Sequence, residues 1–174
     1  KPRRPGTSRQ HGIMDHQKVE GDEVEAKALE NFFHEQIPLT RHMQVGVAEL
    51  GPPGLCLSAP LEANANLHGT AFGGSIASLA VLAGWALLHT RTRSAGINCS
   101  IVVQKSEISY ERAIRGNFTS CCIEPENSAW DKITRTLQKR GKSRITLDVV
   151  VEYDNQVAAR LQATYAAEKT ASSI

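Results

Sequence analysis

Between Gly73 and Leu88 apolar side chains occupy every helical face, and no charge appears until Arg91. Ile76, Leu79, Ala80 and Ala83 fall on one side, with Val81, Leu82, Trp85 and Leu88 around it. Ala and Leu dominate, and both favour helix. A helix that is apolar all round is buried on every side or lies in a membrane. Crossing a bilayer takes about twenty predominantly apolar residues. With Gly73, Gly74, Ser75, Ser78 and Gly84 in it, this stretch is expected to fall short of that. The alternating segments that follow also need a helix to cover them. The pattern therefore predicts a central helix wrapped by a sheet, and no membrane.

Upstream, Lys1 to about Gly21 has almost no apolar content and holds Pro2, Pro5, Gly6 and Gly12. It is expected to be a flexible arm within which Met14 is a candidate native start. Asp22 and Glu25 resemble a capping box. Ala28, Leu29, Phe32, Phe33 and Ile37 then recur at helical spacing, and the helix is expected to stop before Pro38. Met43 to Leu50 alternates as a strand. Gly51-Pro52-Pro53-Gly54 turns, and Leu55, Leu57 and Ala59 alternate back to Pro60.

After the central helix an extended run from Gly96 reaches Tyr110. Ile101 and Val103 point one way and Ile108 and Tyr110 the other, so a bulge near Lys105 is expected. Gly116 to Ile123 is another strand. Ser128 to Arg140 reads as a short helix capped by Ser128, stopped by Gly141, with Trp130, Ile133 and Leu137 on one face. Leu147, Val149, Val151 and Tyr153 alternate, Asp154-Asn155 turns, and Val157, Ala159, Leu161, Ala163 and Tyr165 alternate back. Asp148, Glu152 and Arg160 fall on the opposite face. The expectation is an α+β fold: an arm over residues 1–21, one domain over 22–168, a tail over 169–174, and an antiparallel sheet curled around one helix.

At 174 residues the chain is long enough for one substantial core. Its net charge of +2 and 5% aromatic content argue against a nucleic-acid surface, and the basic start reads as a solvated tail. Cys56, Cys99, Cys121 and Cys122 lack Cys-x-x-Cys spacing and are expected as buried reduced thiols of a cytoplasmic protein. No signal-peptide pattern opens the chain. There is no phosphate loop, metal-ligand cluster or nucleotide fingerprint, so no cofactor or metal is expected.

Candidate chemistry gathers where the loop meets the helix. The start of the helix offers backbone N–H groups, and Gly73 and Gly74 let a ligand approach them. Such donors stabilise negative charge developing on a substrate oxygen. The Asn66 amide either joins them or only closes an Asx turn, and Asn64 has the same alternative. His68 either meets the substrate or shapes the loop. Thr70 and Ser75 are helix-start caps or substrate contacts. Leu67, Ala71, Phe72 and Ile76 are candidates for a dry pocket wall. From Leu67 to Leu88 there is no Asp or Glu, so this stretch supplies no carboxylate base or nucleophile.

The segment Asn66-Leu-His-Gly-Thr-Ala-Phe-Gly-Gly-Ser resembles the loop-plus-helix signature of hotdog-fold acyl-thioester enzymes. Asn66, Gly69, Gly73 and Gly74 match the common thioesterase pattern, while Phe72 stands at its His position and Val81 near its acid position. With a Trp further down the helix, the stretch is similar to the YiiD C-terminal family. That resemblance spans roughly Leu29 to Ala167. It implies a hotdog fold and a malonyl-acyl carrier protein decarboxylase supplying acetyl-carrier protein for fatty-acid initiation.

The resemblance carries the catalytic role over to Asn66. Gly74 is the candidate backbone partner, and Asn64, His68, Thr70, Phe72, Gly73 and Ser75 are candidate substrate contacts. The alternatives are an acyl-CoA or acyl-carrier-protein thioesterase, with Glu62 or a partner's acid as base, and a non-enzymatic acyl-CoA binder. The expected partners are an acidic carrier protein or coenzyme A thioester and a second copy of the chain, as a homodimer or higher assembly. Lys139, Arg140, Lys142 and Arg144, or Arg112 and Arg115, are candidates to receive the phosphate or the carrier.

Overall fold

The computed structural model describes residues 11–170, with side chains from Glu23 onward. Helix α1 spans His11–Gln36 and α2 spans Pro38–His42. Strands β1 (Gly46–Gly51) and β2 (Gly54–Ala59) form a hairpin, followed by a 3-10 turn at Glu62–Asn64 and helix α3 (Gly73–Ser94). Then come β3 (Cys99–Tyr110), β4 (Phe118–Ile123), α4 (Asn127–Arg140), β5 (Lys142–Tyr153) and β6 (Gln156–Lys169). The six strands form one antiparallel sheet ordered β1-β2-β4-β5-β6-β3. This is the hotdog arrangement expected from the sequence.

One face of α3 is the centre of the core. Leu79, Ala80, Ala83, Ala86 and Leu88 are fully buried against inward residues of β2, β4, β5 and β6. Those strands alternate as a half-buried sheet must: Leu55 and Leu57 on β2, Leu147, Val149 and Val151 on β5, Leu161, Ala163 and Tyr165 on β6 point in. Gly84 is required by packing. A Cβ there would sit 2.4 Å from the Tyr165 hydroxyl oxygen, which itself donates to the Val81 carbonyl at 2.8 Å. By length and composition α3 is apolar enough to cross a membrane, which corrects the expectation that it falls short. Its place inside the curled sheet accounts for that composition without one.

The β5–β6 turn is as expected, with Asp154 and Asn155 both at positive φ, 56° and 53°. The register of β3 against β6 shifts between Val103 and Lys105, the bulge that the alternation required. Gly141 ends α4 in the left-handed conformation at φ 71°.

Four further expectations are corrected. Helix α1 already runs from His11, because extending a helix costs less than nucleating one; the rest of the expected arm, and residues 171–174 of the tail, lie outside the described residues. Helix α1 ends at Gln36, before Pro38 as expected, and Pro38 then opens α2, since proline fits the first helical turn. Strand β1 consequently starts at Gly46, not Met43. The residue capping α4 is Glu126, not Ser128, and it makes no side-chain cap. Finally, Cys56 and Cys121 face each other across β2 and β4 and form a disulfide, while Cys99 and Cys122 stay free. Burial, with Asp148 adding to it, pushes the Cys122 thiol up to about 12, so it is an inert core group.

Candidate functional site

The loop from Asn64 to Phe72 is pinned at both ends before it delivers the chain to α3. Ala65 and Ala71 bridge across it, and the Ala71 N–H donates to the Ile114 carbonyl at 2.9 Å. Within it, Asn66 organises a tight turn. Its Oδ1 accepts the N–H groups of His68 (2.8 Å) and Thr70 (3.2 Å), and its Nδ2 donates to Thr70 Oγ1 at 2.9 Å. Gly69 takes φ 70°, which favours glycine. The Asx-turn reading of Asn66 is thus realised. An amide nitrogen carries two hydrogens, so one Nδ2 donor is still free of any partner among the described residues.

Asn64 is placed differently. It is 2% exposed, and its Nδ2 donates to the carbonyls of Met43 (2.9 Å) and Pro60 (2.8 Å). Its own carbonyl accepts the Phe72 N–H at 2.8 Å. It is a strut that ties the loop to the α2–β1 turn and to the start of α3. Its Oδ1 is buried without a hydrogen-bond partner among the described residues.

At the tip of α3, Phe72 is the capping residue and supplies no side-chain cap. The first satisfied N–H is that of Ile76, which donates to the Phe72 carbonyl at 3.0 Å. The N–H groups of Gly73, Gly74 and Ser75 have no acceptor among the described residues, as expected for a first helical turn. Thr70 and Ser75 therefore do not cap the helix; Thr70 serves the Asn66 turn instead. The Phe72 ring is 57% exposed and folds over Gly74, where a Cβ would lie 2.3 Å from it. The Gly73 carbonyl accepts the Tyr110 hydroxyl at 2.9 Å, a contact with β3 that sequence reading missed. The placement of an aromatic hydroxyl at the end of β3 was its only signal. His68 is exposed, and its ring makes no hydrogen bond among the described residues.

A cleft of about 380 Å³ starts one turn below this tip. Ala77, Ser78, Val81, Leu82 and Trp85 of α3 form its floor. Ile37, Leu39, Thr40, Met43 and Val45 line one side, and Val103 of β3 the other. It lies on α3 between α2 with its flanking residues and the edge strand β3. Among the described residues no ionisable side chain lines it. At its far end Trp85 is fixed by an Nε1–H bond to the Ile101 carbonyl at 2.9 Å and by stacking on His89, centroid to centroid 4.7 Å. Burial and the nearby Arg93 hold the His89 imidazole below its ordinary pKa.

The basic candidates separate. Ile114 joins the site loop, so Arg112 and Arg115 flank it. Lys142 pairs with Glu168 on β6, at the end of the sheet where β3 begins rather than where Tyr110 meets the helix tip. Arg112 lies over the Tyr153 ring at 5.3 Å and donates to Gln156. Among the described residues no three His, Cys, Asp or Glu side chains cluster as metal ligands.

A family model described as "Putative thioesterase (yiiD_Cterm)" matches residues 26–169. The chain belongs to this family. As a yiiD_Cterm protein it is also similar to solved structures. A protein of unknown function from Chlorobaculum tepidum is 26% identical, with TM-score 0.81, over 86% of this chain and 97% of that one. A protein named as a "putative thioesterase" from Shewanella oneidensis is 25% identical, with TM-score 0.75, over 82% and 96%. A third, from Pseudomonas aeruginosa, shares the fold at 21% identity and TM-score 0.72, over 83% and 95%.

Proposed function

We propose that this protein acts on acyl thioesters at the tip of α3, and that the reaction is decarboxylation of a malonyl thioester carried by an acyl carrier protein. The observation that carries this reading is the free N–H groups of Gly73, Gly74 and Ser75 beside the Asn66 turn, with no carboxylate in the adjoining helix or cleft. Breaking the bond to the carboxylate releases carbon dioxide and leaves its electron pair on the thioester as an enolate. The helix N–H groups and the spare Asn66 donor would hold that oxyanion. A proton from water at the α-carbon then gives the acetyl thioester. No general base is needed.

Hydrolysis is the second reading, and the description of the family favours it. Here water attacks the carbonyl and the products are acid and thiol. Glu62, exposed in the turn before the site loop, is the acid nearest in the chain. A homodimer belongs to the same proposal. Strand β3 is at a sheet edge and exposes Val102, Val103 and Tyr110, which a second copy would cover. A cytoplasmic location belongs to the proposal through its acyl-carrier substrate, no longer through reduced thiols, since Cys56 and Cys121 form a disulfide.

The test is to incubate the protein with malonyl-carrier protein, malonyl-CoA and simple acyl-CoAs and follow carbon dioxide and free thiol separately. Gas without thiol supports decarboxylation. Thiol without gas supports hydrolysis, and neither supports a binder.

A further inference from the structure

We infer that Tyr110 is a positioning residue of the helix tip: its hydroxyl holds and polarises the Gly73–Gly74 peptide, so that the Gly74 N–H is aimed at the substrate oxygen. The inference rests on the thioester reading but not on which reaction follows. An enolate and a tetrahedral intermediate both place negative charge on that oxygen.

A peptide unit is planar and trans, so its C=O and its N–H point in opposite directions. The carbonyl that accepts the Tyr110 hydroxyl at 2.9 Å is that of Gly73, and the N–H of the same unit is that of Gly74. Fixing the oxygen therefore fixes the direction of the hydrogen. That hydrogen is one of those at the tip without an acceptor among the described residues.

This unit needs an outside restraint. It lies between two glycines, whose dihedrals are freer than those of any other residue. It also stands in the first turn of α3, where no preceding turn holds the N–H groups. Tyr110 supplies the restraint from another element, the end of β3, which is itself fixed by pairing with Ala159 of β6. Its phenol lies along Gly73: a Cβ there would be 3.5 Å from the hydroxyl oxygen and 3.6 and 3.7 Å from two ring carbons.

The bond also acts on the charge of the unit. A donor on the carbonyl oxygen draws electron density toward it and makes the N–H at the other end a stronger donor, because hydrogen bonds in a chain polarise one another. The N–H of Ala77, one helical turn on, acts on the same oxygen in the same sense. A strengthened N–H gains most where the substrate oxygen carries most charge, so the effect falls on kcat rather than on KM.

The test compares the wild type with Tyr110→Phe and with Tyr110→3-fluorotyrosine, whose phenol is the more acidic and so the stronger donor, at a pH where both phenols stay protonated. On any thioester that the wild type turns over, Tyr110→Phe should lower kcat roughly two- to tenfold and move KM by less than about twofold, since the cooperative part is a fraction of the roughly 10²–10³ that one oxyanion donor contributes. Tyr110→3-fluorotyrosine should raise kcat above wild type. Equal kcat in the wild type and Tyr110→Phe would overturn the inference. So would a loss of kcat in both variants, which is what a contact that only packs would give.

The nitrogen chemical shift of the Gly74 amide reads the same bond without turnover. It should move in Tyr110→Phe while the amides of Leu87 and Leu88, deep in α3, stay in place. An unmoved Gly74 shift overturns the inference even in an active protein. A moved shift in a protein that turns over no thioester supports the polarised peptide and removes the thioester reading, so the two failures are told apart.

Discussion

Tyr165 and Gly84 occupy one space: the phenol of β6 lies where a side chain on α3 would otherwise be. That contact sets how closely the helix can approach the sheet, and so where its tip and cleft stand. Gly84→Ala should destabilise the fold by about 1–3 kcal/mol through overpacking, although alanine is the better helix former. Tyr165→Phe loses one buried hydrogen bond and should cost about 1 kcal/mol. The double variant should be less destabilised than the sum, because removing the hydroxyl takes away the nearest of the clashes, while ring carbons at 2.8 and 2.9 Å still have to shift. Urea unfolding midpoints of the three variants check this, and strict additivity would contradict it.

The Cys56–Cys121 disulfide closes a segment of 65 residues and joins the strand that leads into the site loop to the strand beside it. Cys56→Ser with Cys121→Ser should lower unfolding stability by about 2–4 kcal/mol. Reductant should shift the wild type in the same direction and leave the double variant unmoved. A wild-type midpoint insensitive to reductant would contradict a role for this bond in stability.

His89 stacks on Phe32 and Trp85, and burial and Arg93 hold its imidazole below the ordinary pKa. The folded protein takes up its proton less readily than the unfolded chain, whose histidine titrates near 6.5. Stability from this group is therefore complete above about pH 6.5 and is lost as pH falls through the lowered folded value. His89→Phe should flatten that part of the stability–pH curve. The check is the difference between wild-type and variant denaturation midpoints from pH 8 to 4.5, and parallel curves would contradict the assignment.

The elements set by local chemistry were legible in the sequence. Asp154-Asn155 demanded a turn, the reversed alternation of β3 demanded a bulge, Gly141 demanded a helix end, and the all-apolar α3 demanded a wrapping sheet. What depended on tertiary register was not. Cys56 and Cys121 are far apart in the chain and meet only because β2 and β4 pair. The stop before Pro38 was legible, since Ile37 is extended and α1 ends at Gln36; the short helix that Pro38 itself opens was not.

The site was legible as a segment and only partly as roles. Asn66 and the glycines stand at the helix tip as anticipated, but Asn64 turned inward as a strut, and neither Tyr110 nor the cleft between α2 and β3 has a local signature.

Asn66 both shapes its loop and offers a spare donor, and Asn66→Asp separates the two. A carboxylate still accepts the N–H groups of His68 and Thr70, so the turn is kept, while both Nδ2 donors are lost. The decisive measurement is kcat of Asn66→Asp on malonyl-carrier protein and acyl-CoAs, beside its unfolding stability. A loss of 100-fold or more in kcat, the magnitude of one oxyanion donor, with stability within about 1 kcal/mol of wild type, is the predicted result. Full turnover by the folded variant would contradict an oxyanion site built on Asn66 and the tip of α3.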